Sequence, residues 1–246
     1  MKKLLLLVTL VTVFCLSTIA QISFGPKVGL NLAKYSFNFK DSSEEPDVKM
    51  RMAPLVGVAV NYQFTDELAL QSGLFFSGKG TAFDLEKMVE EGAGEDVDID
   101  GYMRFSTGYL EIPVNIAYGF AIGESQIQIF AGPYLAYGIV GQFKWDYTVK
   151  HDGDSETDKD DFTIKFKNTI DESDDDDKTI YMTALNFGVG FGLGFKTGPI
   201  LINAGYELGL TNLTPKWSGE GDDDRDDYKF TNGVINVSAS YFFGGK

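Results

Sequence analysis

The chain has one cysteine, one histidine and no long apolar run beyond its N-terminal segment. Cys15 lies inside that segment, so the chemistry of thiolates and disulfides is excluded from residues 21–246. These residues also lack the stretch of about 18 apolar residues that a membrane-spanning helix needs. If this part of the chain crosses a bilayer, it must therefore cross as a closed β-barrel.

Basic residues are also scarce, with 21 Lys and Arg against 36 Asp and Glu and a formal net charge of -15. Nucleic-acid binding depends on clustered Lys and Arg, so no nucleic-acid partner is expected. Of the 36 acidic residues, 31 fall in four segments: 34–50, 80–101, 143–179 and 213–229. The sequence therefore predicts four long acidic surface loops.

The N-terminal segment has the three parts of a secretory signal. Met1, Lys2 and Lys3 are followed by an apolar run, and Thr18 and Ala20 provide the small residues that precede a cleavage site. We therefore predict a signal peptide over residues 1–20 and a single domain over residues 21–246.

A strict alternation then recurs eight times, and it is clearest at 185–195. The odd positions carry Leu, Phe or Val, whereas the even positions carry Asn186 and four glycines. One apolar face and one small, uncharged face are typical of a barrel strand between lipid and a narrow lumen. Similar strands are predicted at about 22–33, 53–64, 68–79, 109–118, 126–139, 180–196, 200–212 and 231–243. We expect a bulge near Gly108 and a ladder irregularity at Pro113.

The connections alternate in length. They are short at 65–67, about 119–125 and 197–199, and long and acidic elsewhere. The predicted fold is all-β, an eight-stranded antiparallel up-and-down transmembrane β-barrel in the bacterial outer membrane with both termini in the periplasm. A soluble barrel such as a lipocalin is the alternative. Its outer face would carry many charges, whereas the second face here carries Gly, Ala, Ser, Asn and Gln.

Four segments resemble the PorT-like outer-membrane β-barrel family of Bacteroidota. They are residues 26–32 (PKVGLNL), 109–114 (YLEIPV), 131–135 (AGPYL) and 205–212 (GYELGLTN). The resemblance spans residues 21–246 and implies an outer-membrane barrel. One class of this family takes part in protein secretion and gliding, and the four segments do not single out that class.

Three charged residues share the predicted lumen face: Lys27, Glu111 and Glu207. Because a buried charge is costly unless it is paired, we expect an internal network of ion pairs and hydrogen bonds that fills the lumen. The expected polar members are Asn31, Gln71, Asn115 and Gln128. The alternative interpretation of the same residues is a polar relay or a gated pore.

Two weaker hypotheses concern the third acidic segment. Carboxylates are ligands for Ca²⁺, and the calcium candidates are Asp152, Asp154, Glu156 and Asp158, although their spacing does not match an EF-hand loop. A lipid-modifying enzyme would need a base beside a nucleophile, and the only histidine is His151, near Ser155. We expect a solvated histidine, no enzyme and no cofactor.

The sequence therefore favours a non-enzymatic integral outer-membrane protein with a structural or partner-binding role in the cell envelope. The expected partners are outer-membrane lipid and envelope or secretion proteins, and the barrel is expected to be monomeric. A small-solute pore or a secretion- or gliding-associated barrel is the alternative, and a lipid-modifying enzyme is the less favoured third class.

Overall fold

The computed structural model describes residues 21–39, 48–85, 97–151, 154–174, 176–218 and 228–244. Within these ranges, no helix is long and apolar enough to span a membrane. A 3-10 turn occupies Glu172–Asp174. The strands are β1 (Ile22–Phe39), β2 (Val48–Gln63), β3 (Leu68–Phe83), β4 (Val97–Ile122), β5 (Ser125–His151), β6 (Asp154–Phe166), β7 (Thr169–Ile170), β8 (Thr179–Met182), β9 (Leu185–Thr197), β10 (Ile200–Gly209), β11 (Lys216–Trp217) and β12 (Tyr228–Tyr241).

Eight of these strands close into a ring. The order is β1–β2–β3–β4–β5–β9–β10–β12, and β12 pairs with β1 to complete it. Every pair around the ring is antiparallel. A closed ring leaves no unpaired sheet edge at the level of the bilayer, which is the condition for crossing it with strands. The predicted eight-stranded antiparallel barrel is confirmed.

The outward face of the ring is apolar. Along β9, Leu185, Phe191 and Leu193 expose 44%, 54% and 59% of their surface, whereas Asn186 exposes none. The same outward exposure of Val, Leu, Ile and Phe recurs on the other strands of the ring. The apolar side chains therefore face away from the lumen, and the soluble barrel with an apolar interior is wrong.

Glycines on β9 make room for large side chains of β5 inside the narrow lumen. Gly192 pairs with Phe130 and Gly188 pairs with Tyr134. A Cβ atom at Gly188 would lie 2.5 Å from the Tyr134 ring, and one at Gly192 would lie 2.6 Å from the Phe130 ring. The alternating glycines thus accommodate aromatic rings that fill the barrel from the neighbouring strand.

The two ends of the barrel differ. At one end, which we call the turn end, short turns join β2 to β3, β4 to β5 and β9 to β10, and residues Gln21 and Gly244 lie here. Aromatic pairs border this end: Tyr62 with Phe64, Tyr118 with Phe120, and Tyr241 with Phe243. Such rings are typical of the interface between lipid and water. We call the opposite end the loop end.

Both predicted irregularities are present. The register between β4 and β5 shifts at Gly108 and Tyr109, which pair with Val140 and Gly138, so that Ile139 is the extra residue of a bulge. Near Pro113, β3 and β4 keep their register, but the ladder skips two pairs between Ser72 and Phe75. The Ser72 hydroxyl donates to the Pro113 carbonyl at 2.7 Å and secures the interrupted segment.

At the loop end, β4 and β5 run on well beyond the predicted bounds. They contain 26 and 27 residues, whereas about 9–11 residues cross a bilayer. Strand β6 pairs with the upper part of β5, and β8 pairs in parallel with β6. The described residues of the segment 143–179 are therefore mostly in strands and do not form one long loop, and the predicted strand 180–196 is divided between β8 and β9. Aromatic and aliphatic residues within the acidic sequence, such as Phe162 and Ile164, provide the packing that orders it.

The apolar face changes sides at the bulge. Below it, Leu135 and Tyr137 of β5 point outward; above it, Phe143 and Trp145 lie on the inner face. An inserted residue reverses which face each later side chain occupies. The reversal marks the level at which the outer surface of the barrel passes from an apolar to a polar surrounding.

Candidate functional site

A buried charge cluster crosses the lumen, and its central cation is Lys79 of β3. The side chain of Lys79 is fully buried. Its Nζ lies 2.8 Å from Glu111 Oε2 and 3.5 Å from Glu207 Oε2. The same Nζ lies 4.3 Å from the centre of the Tyr134 ring. One ammonium group therefore joins β3 to β4 and β10 across the barrel.

Lys27, Glu111 and Glu207 all face one lumen cavity, together with Gln71 and Asn115. Lys27 itself lies over the Phe75 ring at 5.0 Å, and the ion pairs of the glutamates are made with Lys79. The cavity measures about 50 Å³. That volume suits a few water molecules and is too small for a continuous channel.

The other predicted polar residues extend this network along the lumen. Gln71 donates to Gln128 at 2.8 Å, and Gln128 donates to Gln126 at 3.2 Å. Asn31 donates to Ser77 at 3.0 Å and to the Gly78 carbonyl at 2.9 Å. Glu207 also accepts a hydrogen bond from an asparagine of β12, Asn236, at 3.2 Å.

On the loop side of the cluster, the lumen is closed by a hydrogen-bonded triangle and an aromatic layer. Tyr134 donates to Asn186, Asn186 donates to Asn232, and Asn232 donates to Tyr134, at 3.1, 2.6 and 3.3 Å. Above them lies the aromatic layer, in which Tyr35 is fully buried and donates to or accepts from Thr107 at 2.6 Å. The remaining members of the layer are Phe37, Phe105, Phe143, Phe166, Ile164, Ile180, Met182, Leu213 and Phe230.

On the turn side, an apolar plug separates the cavity from the barrel mouth. Phe75 and Phe242 pack with Leu55, Ala59 and Leu201. Beyond Phe242 lies a larger recess of about 580 Å³ that also contacts Gln21, Gln63 and Lys196. The lumen is thus interrupted at four successive levels: the aromatic layer, the hydrogen-bonded triangle, the charge cluster and the plug.

Lys79 was missed by the sequence analysis, although a signal for it existed. It has the same parity as Gln71, which was placed on the lumen face, but it stands at the predicted end of its strand. The strand continues to Phe83, so Lys79 lies inside the barrel instead of at its rim. The alternation alone would have indicated its inward position had the strand end been placed correctly.

The calcium candidates lie in a row. Asp154, Glu156 and Asp158 occupy alternate positions of β6 and are exposed, and Asp152 lies outside the described residues. Alternate residues of a strand are about 7 Å apart, too far for three carboxylates of one row to share an ion. In the described part of the chain, no group of three His, Cys, Asp or Glu residues is placed to hold a metal. The backbone of His151 pairs with Asp154, but its side chain lies outside the described residues.

Ion pairs between neighbouring segments secure the acidic region at the loop end. Lys178 pairs with Asp160, and Lys167 pairs with Asp174. The hydrogen bond from each ammonium group lowers the pKa of its carboxyl group below the usual value. The two lysines are exposed, so these pairs link the segments at the surface.

An antiparallel ring of eight strands with an apolar outer face and a filled polar lumen defines the class of small outer-membrane β-barrels. The family model of the outer membrane protein beta-barrel domain matches residues 19–214. The chain belongs to this family, and its surroundings are the bacterial outer membrane and its lipid. A comparison with curated proteins gives no match.

The chain is similar to several solved outer-membrane proteins. Ail of Yersinia pestis is 14% identical with a TM-score of 0.38, covering 90% of this chain and 98% of its own. OprG of Pseudomonas aeruginosa is 13% identical with a TM-score of 0.41, covering 91% and 95%. The Neisserial surface protein A is 10% identical with a TM-score of 0.34, covering 89% and 97%. At such identities and scores these similarities carry no argument about function.

Proposed function

We propose that the protein is a non-enzymatic, non-conducting outer-membrane barrel that presents its loop end to partners in the cell envelope. The observation that supports this most is the interrupted lumen. The Lys79–Glu111–Glu207 cluster lies between an aromatic layer and the Phe75–Phe242 plug. A barrel of eight strands has room only for its own side chains, so a filled lumen favours a scaffold over a pore.

We propose that the turn end faces the periplasm and the loop end faces the outside of the cell. Residues Gln21 and Gly244, at the two ends of the described chain, both border the turn end. Short periplasmic turns and long outer segments are the usual arrangement of such barrels. In this orientation the acidic, strand-forming segments lie outside the cell.

We also propose membership of the PorT-like outer-membrane β-barrel family of Bacteroidota. Its support is the resemblance carried by Leu110-Glu111-Ile112-Pro113 and Gly209-Leu210-Thr211-Asn212. In the structure the first element holds a buried carboxylate of the charge cluster, Glu111. The resemblance adds one candidate partner, a protein of secretion or gliding. Deleting the gene for this barrel and measuring protein secretion and surface movement would test it, because both should be impaired if the candidate is right.

Recording currents across planar bilayers tests the closed lumen. We expect the purified protein, verified as folded by its mobility in unboiled SDS samples, to give no discrete conductance steps. A double variant that removes the plug, Phe75→Ala with Phe242→Ala, should also give no steps, because the aromatic layer still closes the lumen. Discrete steps from the unaltered protein would contradict the proposal, and a changed lipid A profile in a deletion strain would contradict the non-enzymatic role.

A further inference from the structure

The upper parts of β4, β5 and β6 form a three-stranded sheet that stands above the barrel, which we call the loop-end sheet. It comprises residues 97–106, 142–151 and 154–163. Its register places Met103 opposite Trp145 and Ile99 opposite Val149. Trp145 in turn lies opposite Asp160, and Val149 lies opposite Glu156.

One face of this sheet is apolar. Its half-buried side chains are Ile99, Met103, Phe143, Trp145, Tyr147 and Val149. Trp145 stacks on Phe162 at 5.2 Å and continues toward the aromatic layer through Phe143 at 5.4 Å. The face measures about 20 Å along β5, from Phe143 to Val149, and about 10 Å across the three strands, given the usual strand dimensions.

An acidic row borders this apolar face along β6. Asp154, Glu156, Asp158 and Asp160 occupy alternate positions on the same side as Trp145 and Tyr147. Asp160 is paired with Lys178, and Asp158 accepts a hydrogen bond from Tyr147 at 3.2 Å. Asp154, Glu156 and Asp158 form no ion pair with another described residue.

The opposite face of the sheet shows a different distribution of charge. Lys150 lies 3.3 Å from Asp98, and Lys159 lies 2.9 Å from Asp146. Two acids of that face, Asp98 and Asp146, are thus paired with lysines of neighbouring strands. The apolar face therefore has three carboxylates, those of Asp154, Glu156 and Asp158, without an ion-pair partner among the described residues, whereas the other face carries ion pairs between neighbouring strands.

We propose that this apolar face is the docking surface for a cationic amphipathic peptide segment of an envelope protein. The acidic row along β6 favours a basic partner. An anionic lipid or polysaccharide would be repelled by this row and by the net charge of -15. Aliphatic and aromatic side chains together suit leucine and phenylalanine in the segment, and its lysines would face β6. The inference rests on the proposed partner-binding role and names the chemistry of the partner.

The small area limits the strength of the contact. A face of about 20 by 10 Å lies well below the roughly 800 Å² per partner of a standard interface, which favours a weak complex. Its central side chain is Trp145, and tryptophan is among the residues whose truncation weakens interfaces most. Asp154 and Glu156 lie at the edge of the apolar face, where their charges would orient the bound peptide segment through its lysines.

The test uses the full protein in nanodiscs of zwitterionic lipid and a labelled eight-residue peptide of alternating leucine and lysine. The comparison peptide alternates leucine and glutamate. Fluorescence anisotropy should show binding of the lysine peptide only. Of the two tryptophans, Trp217 is replaced by phenylalanine in a parallel preparation, so that the emission of Trp145 reports contact directly.

Two double variants with the same change in net charge distinguish binding at this face from nonspecific electrostatic attraction of the peptide to the acidic protein. Asp154→Asn with Glu156→Gln should weaken binding about fivefold, as expected for the loss of two exposed charge contacts. Asp98→Asn with Asp161→Asn changes the charge equally on the opposite face and should leave binding unchanged. Trp145→Ala should weaken binding at least about tenfold, provided that unboiled SDS mobility shows a folded barrel.

Equal binding of both peptides, or equal weakening by the two double variants, would overturn the proposal. A change in Trp145 emission with a neutral oligosaccharide and none with the lysine peptide would also overturn it and would identify a sugar-binding face. Failure here leaves the closed, non-conducting barrel intact. Conductance steps in bilayers, by contrast, would overturn the proposed function and leave the peptide result standing.

Discussion

Replacing Lys79 by methionine should destabilise the barrel strongly, because it removes the central cation of the lumen. The side chain is fully buried, and the change leaves the carboxylates of Glu111 and Glu207 without the cation that pairs with both. Two unit charges about 4 Å apart interact by about 4 kcal/mol at an effective dielectric constant of 20. Breaking a buried pair by removing one partner costs about 3–5 kcal/mol. We expect the free energy of unfolding to fall by that amount.

The assay is urea-induced unfolding in lipid vesicles, followed by tryptophan fluorescence and by mobility in SDS. Lys159→Met is the matched control, since Lys159 lies 2.9 Å from Asp146 but is exposed. An exposed pair contributes little, so this control should unfold like the unaltered protein. Combining Lys79→Met with Glu111→Leu and Glu207→Gln should recover much of the loss, because no unpaired carboxylate then remains beside the substituted position. A Lys79→Met protein as stable as the control would refute the reasoning.

The packing and the ion pairs support three further expectations. Gly188→Leu should prevent folding or weaken it severely, because its Cβ would lie 2.5 Å from the Tyr134 ring, and SDS mobility would show the loss. Phe242→Ala should cost about 3–5 kcal/mol in urea unfolding and still give no conductance steps, because the aromatic layer remains closed. The ion pairs of Asp160 and Asp174 have a lowered carboxyl pKa, so their contribution is present above the unfolded value of about 3.9 and lost as the pH falls through the lower folded value. The protection factors of the loop-end amides, which are exchange rates corrected for the intrinsic effect of pH, should therefore be unchanged from pH 7 to 5 and lower below about pH 4. Protection factors at pH 3 equal to those at pH 7 would contradict this.

The parts of the fold inside the bilayer could be predicted from the sequence because lipid imposes one rule on every strand. Outward side chains such as Leu193 must be apolar, and inward ones must fit a narrow lumen, so the alternation is complete from Leu185 to Phe195. The bulge expected near Gly108 lies on the neighbouring strand, β5. The extra residue, Ile139, reverses the faces of β5 at the level where the surroundings change.

The loop-end sheet could not be predicted in the same way. Its strands keep apolar residues on the inner face, as at Trp145, while acidic residues such as Asp158 dominate the composition. Charge density therefore indicated loops, although pairing with β5 and packing by Phe162 order the segment as a strand. The partners within the lumen depend on register across the ring, and a single sequence shows which residues face inward without showing which of them meet.

The most direct test of a lipid-facing barrel with a filled lumen is the accessibility of spin labels at two positions of β9. In a Cys15→Ser background, Leu193→Cys places a label on the outward face, and Gly190→Cys places one in the lumen, where a Cβ has ordinary contact at 3.4 Å from Glu207. In vesicles, the label at position 193 should be relaxed by oxygen, which dissolves in lipid, and hardly by a water-soluble nickel chelate. The label at position 190 should respond weakly to both. Strong relaxation by the nickel chelate at position 193 would contradict the lipid-facing surface, and at position 190 it would contradict the filled lumen.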